Sequence, residues 1–350
     1  MPATNATMNV AVFRAKGSVP VEVVPLPTLQ PDEVLVEIAY CGICGTDLHA
    51  IVEASGLNGW GTPGWVGGHE WSGHVNAVGA DVSAWKVGDR VVGSSSDCGA
   101  CPNCRAGRPS LCRERGKANR DGPGAFAQFI RKGESRLEAV PDGLDLRAAA
   151  LAEPLAVALH AVTRSMATPG SRVLVTGAGP IGALTVVALH SRGLNKVTVS
   201  EPNPIRRALV QGLGADVLTP DELTAGSADG TRHDFDAIIE TSGHPAAASS
   251  AIDYLGLGGV LVLVGVVARP TNVNLLQILQ NELVITGSAL YDSDGIRDAV
   301  ALLASGTVPV NVLIEPSEIT LSEVGDTCMR LAEGQIAGKV LVVPNRSMED

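Results

Sequence analysis

Arg172-Val173-Leu174-Val175-Thr176-Gly177-Ala178-Gly179-Pro180-Ile181-Gly182 decides the fold of the second half of this 350-residue chain. Arg172–Thr176 is a continuous apolar run of the kind found in strands buried on both faces. The glycines that follow, spaced G-x-G-x-x-G, allow a tight turn, close approach of a diphosphate, and close packing of the next helix on the strand. That helix, expected from about Ile181 to Ser191, points N–H groups and a positive dipole end at the phosphates. A chain with 40 glycines produces such spacings by chance, and a turn that packs without ligand is the plainer alternative. Context favours the ligand: a strand precedes, a helix follows, and the acid Glu201 ends the next strand, nineteen residues past Gly182. Glu201 is placed to take both ribose hydroxyls of a dinucleotide. A carboxylate there repels a 2′-phosphate, so NAD is favoured over NADP. Arg206 and Arg207 temper that preference, or else form a solvated helix face. The candidate cofactor-binding residues are Gly177, Gly179, Pro180, Ile181, Gly182, Glu201 and Arg206.

Around this stretch strand and helix alternate. Lys196–Ser200 reads as a strand, Ile205–Leu213 as a helix, and Val217-Leu218, Ala237–Ile239, Val260–Val264 and Leu283–Thr286 as further strands. That alternation predicts α/β architecture with a doubly wound parallel sheet. Before Glu153-Pro154 the pattern is different. Val10–Arg14, Val21–Val24 and Val34–Tyr40 are short β-branched runs punctuated by Pro and Gly, with more between His74 and Val92. They predict an antiparallel, partly open barrel-like domain. The first eight or so residues read as a frayed tail, and Lys339–Pro344 is β-like again, as if returning to the first domain. The expected domains are 1–155, with a cysteine lobe near 95–115, then 156–290, then a return over 291–350.

Composition excludes some classes. A formal net charge of -11 argues against nucleic acid or an anionic membrane as main partner. No apolar run reaches the roughly 18 residues needed to span a bilayer. The N-terminal residues carry neither a basic nor an apolar leader segment. Seven cysteines at metal-like spacing without such a leader suggest a reducing compartment, so the expected location is cytoplasmic.

The chemistry-bearing residues lie in the first domain. Cys41-Gly42-Ile43-Cys44-Gly45-Thr46-Asp47-Leu48-His49 and Gly67-Gly68-His69-Glu70 combine thiol, imidazole and carboxylate. All three suit Zn²⁺, and a site with three protein ligands keeps a position open for substrate. Thr46 and His49 offer groups that move a proton. Cys41 reads as a small buried hydrophobe rather than half of a redox pair, and so does Cys328. Cys98-x-x-Cys101-x-x-Cys104 and Cys112 place four thiols within fifteen residues, the pattern of a closed structural zinc site. An iron–sulfur cluster would call for a shorter last gap and a following Pro, where this chain has Arg113. Glu153, just before Pro154, is expected at a helix mouth, with an ordinary helix-start acid as the plainer reading. Trp60 and Trp65 either wall the pocket or pack the loop between Cys44 and His69.

Together these motifs make the chain, from about Val10 to Pro344, resemble the zinc-dependent medium-chain dehydrogenase/reductase family of the alcohol dehydrogenase superfamily. The resemblance implies a GroES-like catalytic domain joined to a Rossmann cofactor domain. It maps the first catalytic-zinc ligands onto Cys44 and His69. Glu153 stands where the alcohol dehydrogenases proper have cysteine, as in the sorbitol, threonine and 2,3-butanediol dehydrogenase branch. There Glu70 or Glu153 completes the shell, directly or through water. The implied enzyme holds two zinc ions per subunit and uses NAD to oxidise a secondary alcohol, such as a diol or polyol, reversibly to a ketone. Thr46 takes the hydroxyl proton and His49 releases it to solvent, while Asp47 fixes a ligand. A homodimer or homotetramer built through the cofactor domain is implied as well. The competing readings are a zinc-independent quinone or enoyl reductase on the same fold and a non-catalytic NAD-binding protein.

Overall fold

A computed structural model describes residues 6–52, 61–93, 97–114, 123–228, 234–267 and 269–346. Trp60 lies outside them. The chain divides into two compact units, one formed by Met1–Glu153 with Ile296–Asp350 and the other by Pro154–Gly295.

The first unit is built on antiparallel strands β1 (Thr7–Ala11), β2 (Val21–Pro25), β3 (Glu33–Gly42), β4 (Glu70–Val78), β5 (Arg90–Gly93), β6 (Phe129–Gly133) and β7 (Leu137–Ala139). β1 and β2 pair with each other. The long β3 is the spine of the main sheet, pairing along one side with β4 and over its first half with β6. Register shifts in the β3–β4 ladder, between Leu35 and Val36 and between Ile38 and Tyr40, mark bulges that bend a sheet. Val10, Val34, Val36, Ile38, Val91, Phe126 and Ile130 fill the core beneath it.

The second unit contains β8 (Arg172–Thr176), β9 (Lys196–Ser200), β10 (Asp216–Leu218), β11 (Phe235–Glu240), β12 (Leu255–Leu263) and β13 (Val284–Gly287). All five pairings are parallel, in the order β10-β9-β8-β11-β12-β13. Winding reverses between β8 and β11, which is the position where such sheets open a ligand crevice beyond their carboxyl ends. The chain then returns to the first unit, where β14 (Leu341–Val342) pairs antiparallel with the end of β3.

The largest differences from the sequence reading, at β1 and β12, have physical reasons. β1 runs over Thr7–Ala11 rather than Val10–Arg14, so the supposed tail is already strand at Thr7. Pairing sets its limits, in register from Thr7 opposite Pro25 to Ala11 opposite Val21. Val12 and Phe13 are buried as their apolar character demands, yet their N–H groups bond Pro20 and Trp65 carbonyls. β12 begins at Leu255, five residues before the expected Val260. Gly256, Gly258 and Gly259 had hidden that extension.

Candidate metal centre and dinucleotide site

Cys44 caps the helix Gly45–Ile51 just beyond β3, and Glu70 opens β4. Antiparallel register puts Gly42 opposite Glu70 and Cys41 opposite Trp71, so two sequence-distant turns meet at one end of the ladder. The ligand atoms of Cys44, His69 and Glu70 lie within 4.8 Å of one another. Glycine makes room for them. A Cβ at Gly42 would come 2.3 Å from the Glu70 carboxylate, and Gly68 has a φ of 89° with the Phe126 backbone packed against it.

Asp47, fully buried, clamps both turns. Its carboxylate accepts the Cys44 N–H at 2.9 Å and the Gly68 N–H at 3.3 Å. Burial pushes Asp47 up from its ordinary value, although His69 and the two N–H donors pull it down. Burial would lower the His69 imidazole, but the Cys44 sulfur, Asp47 and Glu153 hold it well above its ordinary value. Thr46 has a buried hydroxyl oxygen with no hydrogen-bond partner. His49 follows one turn later on the same helix, a spacing that puts both on one face.

Glu153 is buried and lies outside the three-residue ligand group. Its helix, Ala152–Arg164, starts one residue before it, with Pro154 inside the first turn, where a missing N–H costs nothing. Burial pushes its carboxyl up to about 7, with His69 and Lys339 acting against that shift and Glu70 and Asp47 adding to it. Sequence reasoning missed Lys339. Its buried ammonium donates to Glu70 Oε1 at 2.8 Å, sits 2.6 Å from Oε2, and donates to the Ile43 carbonyl at 2.9 Å. Burial opposes its charge, but Glu70, Cys44 and Glu153 keep its pKa raised. A lysine heading the apolar run Val340–Val343 is the signal that could have flagged it, because a buried lysine needs a partner. Cys44, Asp47, Glu70 and Glu153 thus surround one imidazole with one ammonium among them. This thiol, imidazole and carboxylate set suits Zn²⁺ chemically, and a divalent cation would balance its charge.

Cys98, Cys101, Cys104 and Cys112 also bring their sulfur atoms within 4.8 Å of one another. The Cys98–Cys104 separation is 3.8 Å and the Cys101–Cys104 separation 3.5 Å, too long for a disulfide. Four thiolates about 2.3 Å from a tetrahedral zinc would stand about 3.8 Å apart. Backbone N–H groups of Cys98, Cys101 and Glu114 point at sulfur atoms. Such bonds, from Arg113 and Cys104, draw Cys101 down to about 6, whereas burial first and the neighbouring thiols next push Cys104 up to about 12. Trp65 is buried in the core of the first unit, and Cys41 and Cys328 are buried apolar thiols.

In the second unit, Gly179 caps the helix Pro180–Ser191. Gly177 has a φ of 92°, and a Cβ on it would meet Ser242 at 2.9 Å. A Cβ on Gly182 would lie 2.1 Å from the Gly177 carbonyl, so this glycine is what lets the helix sit on the turn. At Gly179 the space is open, a cradle for a ligand beside uncapped helix N–H groups. Glu201, buried at the end of β9, accepts the Ala178 N–H at 2.7 Å and the Asn203 N–H at 2.8 Å. A carboxylate has lone pairs beyond those two, so it can still receive hydroxyls. Arg206 lies half-buried on the next helix, Pro204–Gly212, while Arg207 donates to the Glu201 and Pro202 carbonyls. No helix among the described residues is long and apolar enough to cross a membrane.

Known proteins resemble this chain in sequence and fold. Residues 30–142 match the family model of the alcohol dehydrogenase GroES-like domain, and residues 180–305 match that of zinc-binding dehydrogenases. Sorbitol dehydrogenase of Bacillus subtilis (strain 168) is 33% identical over 349 residues, covering 97% of this chain and 98% of its own. A protein from Sinorhizobium meliloti 1021, described as a zinc-binding dehydrogenase and bound to NADP, superposes with a TM-score of 0.85. It is 30% identical, over 97% of this chain and 100% of its own. 2R,3R-butanediol dehydrogenase from Bacillus subtilis has a TM-score of 0.84 at 27% identity, over 97% of this chain and 100% of its own. With the GroES-like and Rossmann folds, the ligand cluster and a relative matched end to end, the chain belongs to the zinc-dependent medium-chain dehydrogenases of the alcohol dehydrogenase superfamily and is an NAD(P)-dependent oxidoreductase.

Proposed function

We propose that this enzyme reversibly oxidises a secondary alcohol of the diol or polyol kind to the ketone, with NAD in preference to NADP. The observation that carries the reading is the meeting of Cys44, His69 and Glu70 within 4.8 Å, beside a buried Thr46 hydroxyl that has no partner. Relatives that act on sorbitol and butanediol support the substrate class. When bound, zinc supplies Lewis acidity to an alcohol oxygen, and nicotinamide supplies the acceptor for the hydrogen on the carbinol carbon.

Cys44 and His69 would hold the metal, and Glu70 or Glu153 would complete the set: Glu70 belongs to the ligand group and is paired with Lys339, whereas Glu153 lies buried outside it. Asp47 fixes the two turns so that sulfur and imidazole keep their spacing. Thr46 Oγ1 receives the substrate hydroxyl, and its proton leaves by way of His49. Cys98, Cys101, Cys104 and Cys112 hold the second, structural zinc, which makes two ions per subunit. Gly177, Gly179, Pro180, Ile181 and Gly182 cradle the pyrophosphate of NAD, and Arg206 borders the site. Glu201 takes the adenosine ribose and rejects a 2′-phosphate. The edge strand β13 pairs with that of a second copy, and the free thiols suit a reducing cytoplasm.

The test is reduction of NAD⁺ and NADP⁺ screened against 2,3-butanediol, sorbitol, threonine and simple secondary alcohols. A diol or polyol should turn over with NAD⁺, and Cys44→Ser should lower kcat/KM about a hundredfold or more. Turnover that survives this substitution would remove the mechanism.

A further inference from the structure

Glu240, the last residue of β11, is fully buried and has no part in the chemistry above. It stands where the winding of the sheet reverses, in register with Thr176 of β8 and Leu263 of β12. Its Oε1 accepts the N–H groups of Ser242 at 2.8 Å and Gly243 at 3.0 Å, together with the Ser242 hydroxyl. Its main-chain carbonyl accepts the N–H groups of Val264 and Gly265, each at 2.9 Å. One residue therefore ties together the turns that leave β11 and β12. Gly265 leaves the space that the carboxylate fills, since a Cβ there would lie 2.7 Å from Oε2. Oε2 itself has no hydrogen-bond partner. A fully buried carboxylate with one oxygen unpaired is costly, so packing alone does not account for an acid here.

We propose that Glu240 is a positioning residue for the nicotinamide half of the dinucleotide. The proposal rests on the cofactor reading given above. A dinucleotide spans the reversal point, with its pyrophosphate on the helix after β8. Glu201, at the end of β9, lies on the adenosine side. The other half of the ligand must then lie over the carboxyl ends of β11 and β12, whose two turns Glu240 holds. The pyrophosphate turn touches this network through the Thr176 hydroxyl, 3.5 Å from Glu240 Oε1, and through Ser242 beside Gly177, and it has supports of its own. Gly177 N–H bonds the Ser200 carbonyl at 2.8 Å, Ala178 N–H bonds Glu201, and the Thr241 hydroxyl bonds the Gly177 carbonyl at 3.1 Å. Loss of the Glu240 carboxylate should free the β11 and β12 turns and leave the adenosine side in place.

The experiment measures NADH binding by its fluorescence and ADP binding by calorimetry, on wild type and Glu240→Ala with zinc retained. NADH should bind about tenfold more weakly to the variant, the consequence of orphaning several buried donors, while ADP affinity stays within about twofold. Unchanged NADH affinity, or equal weakening of ADP, overturns the proposal, because a merely structural role moves both ligands or neither. Should Glu240→Ala not fold, Ser242→Ala removes the hydroxyl that donates to Glu240 and accepts the His244 N–H at 3.1 Å, and leaves the carboxylate in place. It should weaken NADH about threefold and spare ADP, and equal effects or none would again overturn the proposal. A wild-type protein that binds neither ligand removes the dinucleotide reading itself, a result distinct from either of these.

Discussion

Lys339 and Glu70 are 269 residues apart in sequence and form a fully buried ion pair. Removing one partner from such a pair leaves an uncompensated charge, which costs about 3–5 kcal/mol, whereas removing both costs far less. Lys339→Met should therefore destabilise the first unit by about that amount in urea unfolding, and Lys339→Met with Glu70→Gln should recover most of the loss. Equal stability of the single variant and wild type would mean that Glu70 is balanced by another cation. At this scale legibility depended on locality. Cys44, Asp47 and His69 could be read because each sits in a short motif whose chemistry is local. Lys339 could not be paired from sequence, because only the β14–β3 ladder brings its segment to Ile43 and Glu70. Glu240 went unread for a related reason, since a lone acid at a strand end becomes informative only once its neighbours are known.

Elements were legible where their pattern is internal. β8 and β9 fall on the expected residues because β8 is an apolar run and β9 is rich in β-branched residues, and turn residues bound both. β1 and β12 were misjudged because pairing partners, not intrinsic preference, set their ends. The return of the chain to β3 rests on a further element contact. Arg147, on the short helix Leu146–Ala149, binds Glu318 at 2.6 Å and the Glu315 carbonyl at 2.7 Å. Burial alone would raise the Glu318 carboxyl, but the Arg147 bond and charge outweigh it and hold the group below 4.5. A depressed acid contributes stability that is complete above its unfolded value and lost as pH falls through the folded one. Glu318→Gln should therefore be less stable than wild type at pH 7 by at most about 1 kcal/mol, given the partial exposure of the pair. As pH falls through the lowered titration of Glu318, the two urea midpoints should converge. A constant difference across that range would exclude the ion pair as the cause.

For the molecule as a whole, the 45% hydrophobic content is more than the described cores consume. Part of the surplus sits at one edge of the parallel sheet. β13 is the last strand in the order, and Val284 and Ile285 on it are exposed. The helix leading into it, Leu275–Gln280, exposes Leu275 by 76% and Leu279 by 74%. An unpaired edge strand offers a row of N–H and C=O groups, and an apolar flank rewards covering it. Two copies related by a two-fold axis satisfy both demands at once, because the same edge meets itself with matched hydrogen-bonding groups. Covering each exposed leucine would contribute about 1.5–3 kcal/mol, enough in sum to offset the entropy of association. Ile285→Lys puts a charge at that seam in both copies, so like charges face each other across the axis. Sedimentation velocity should show wild type as a dimer or larger and Ile285→Lys as a monomer, with the metal content unchanged. A monomeric wild type, or an assembly indifferent to this lysine, would place the contact elsewhere.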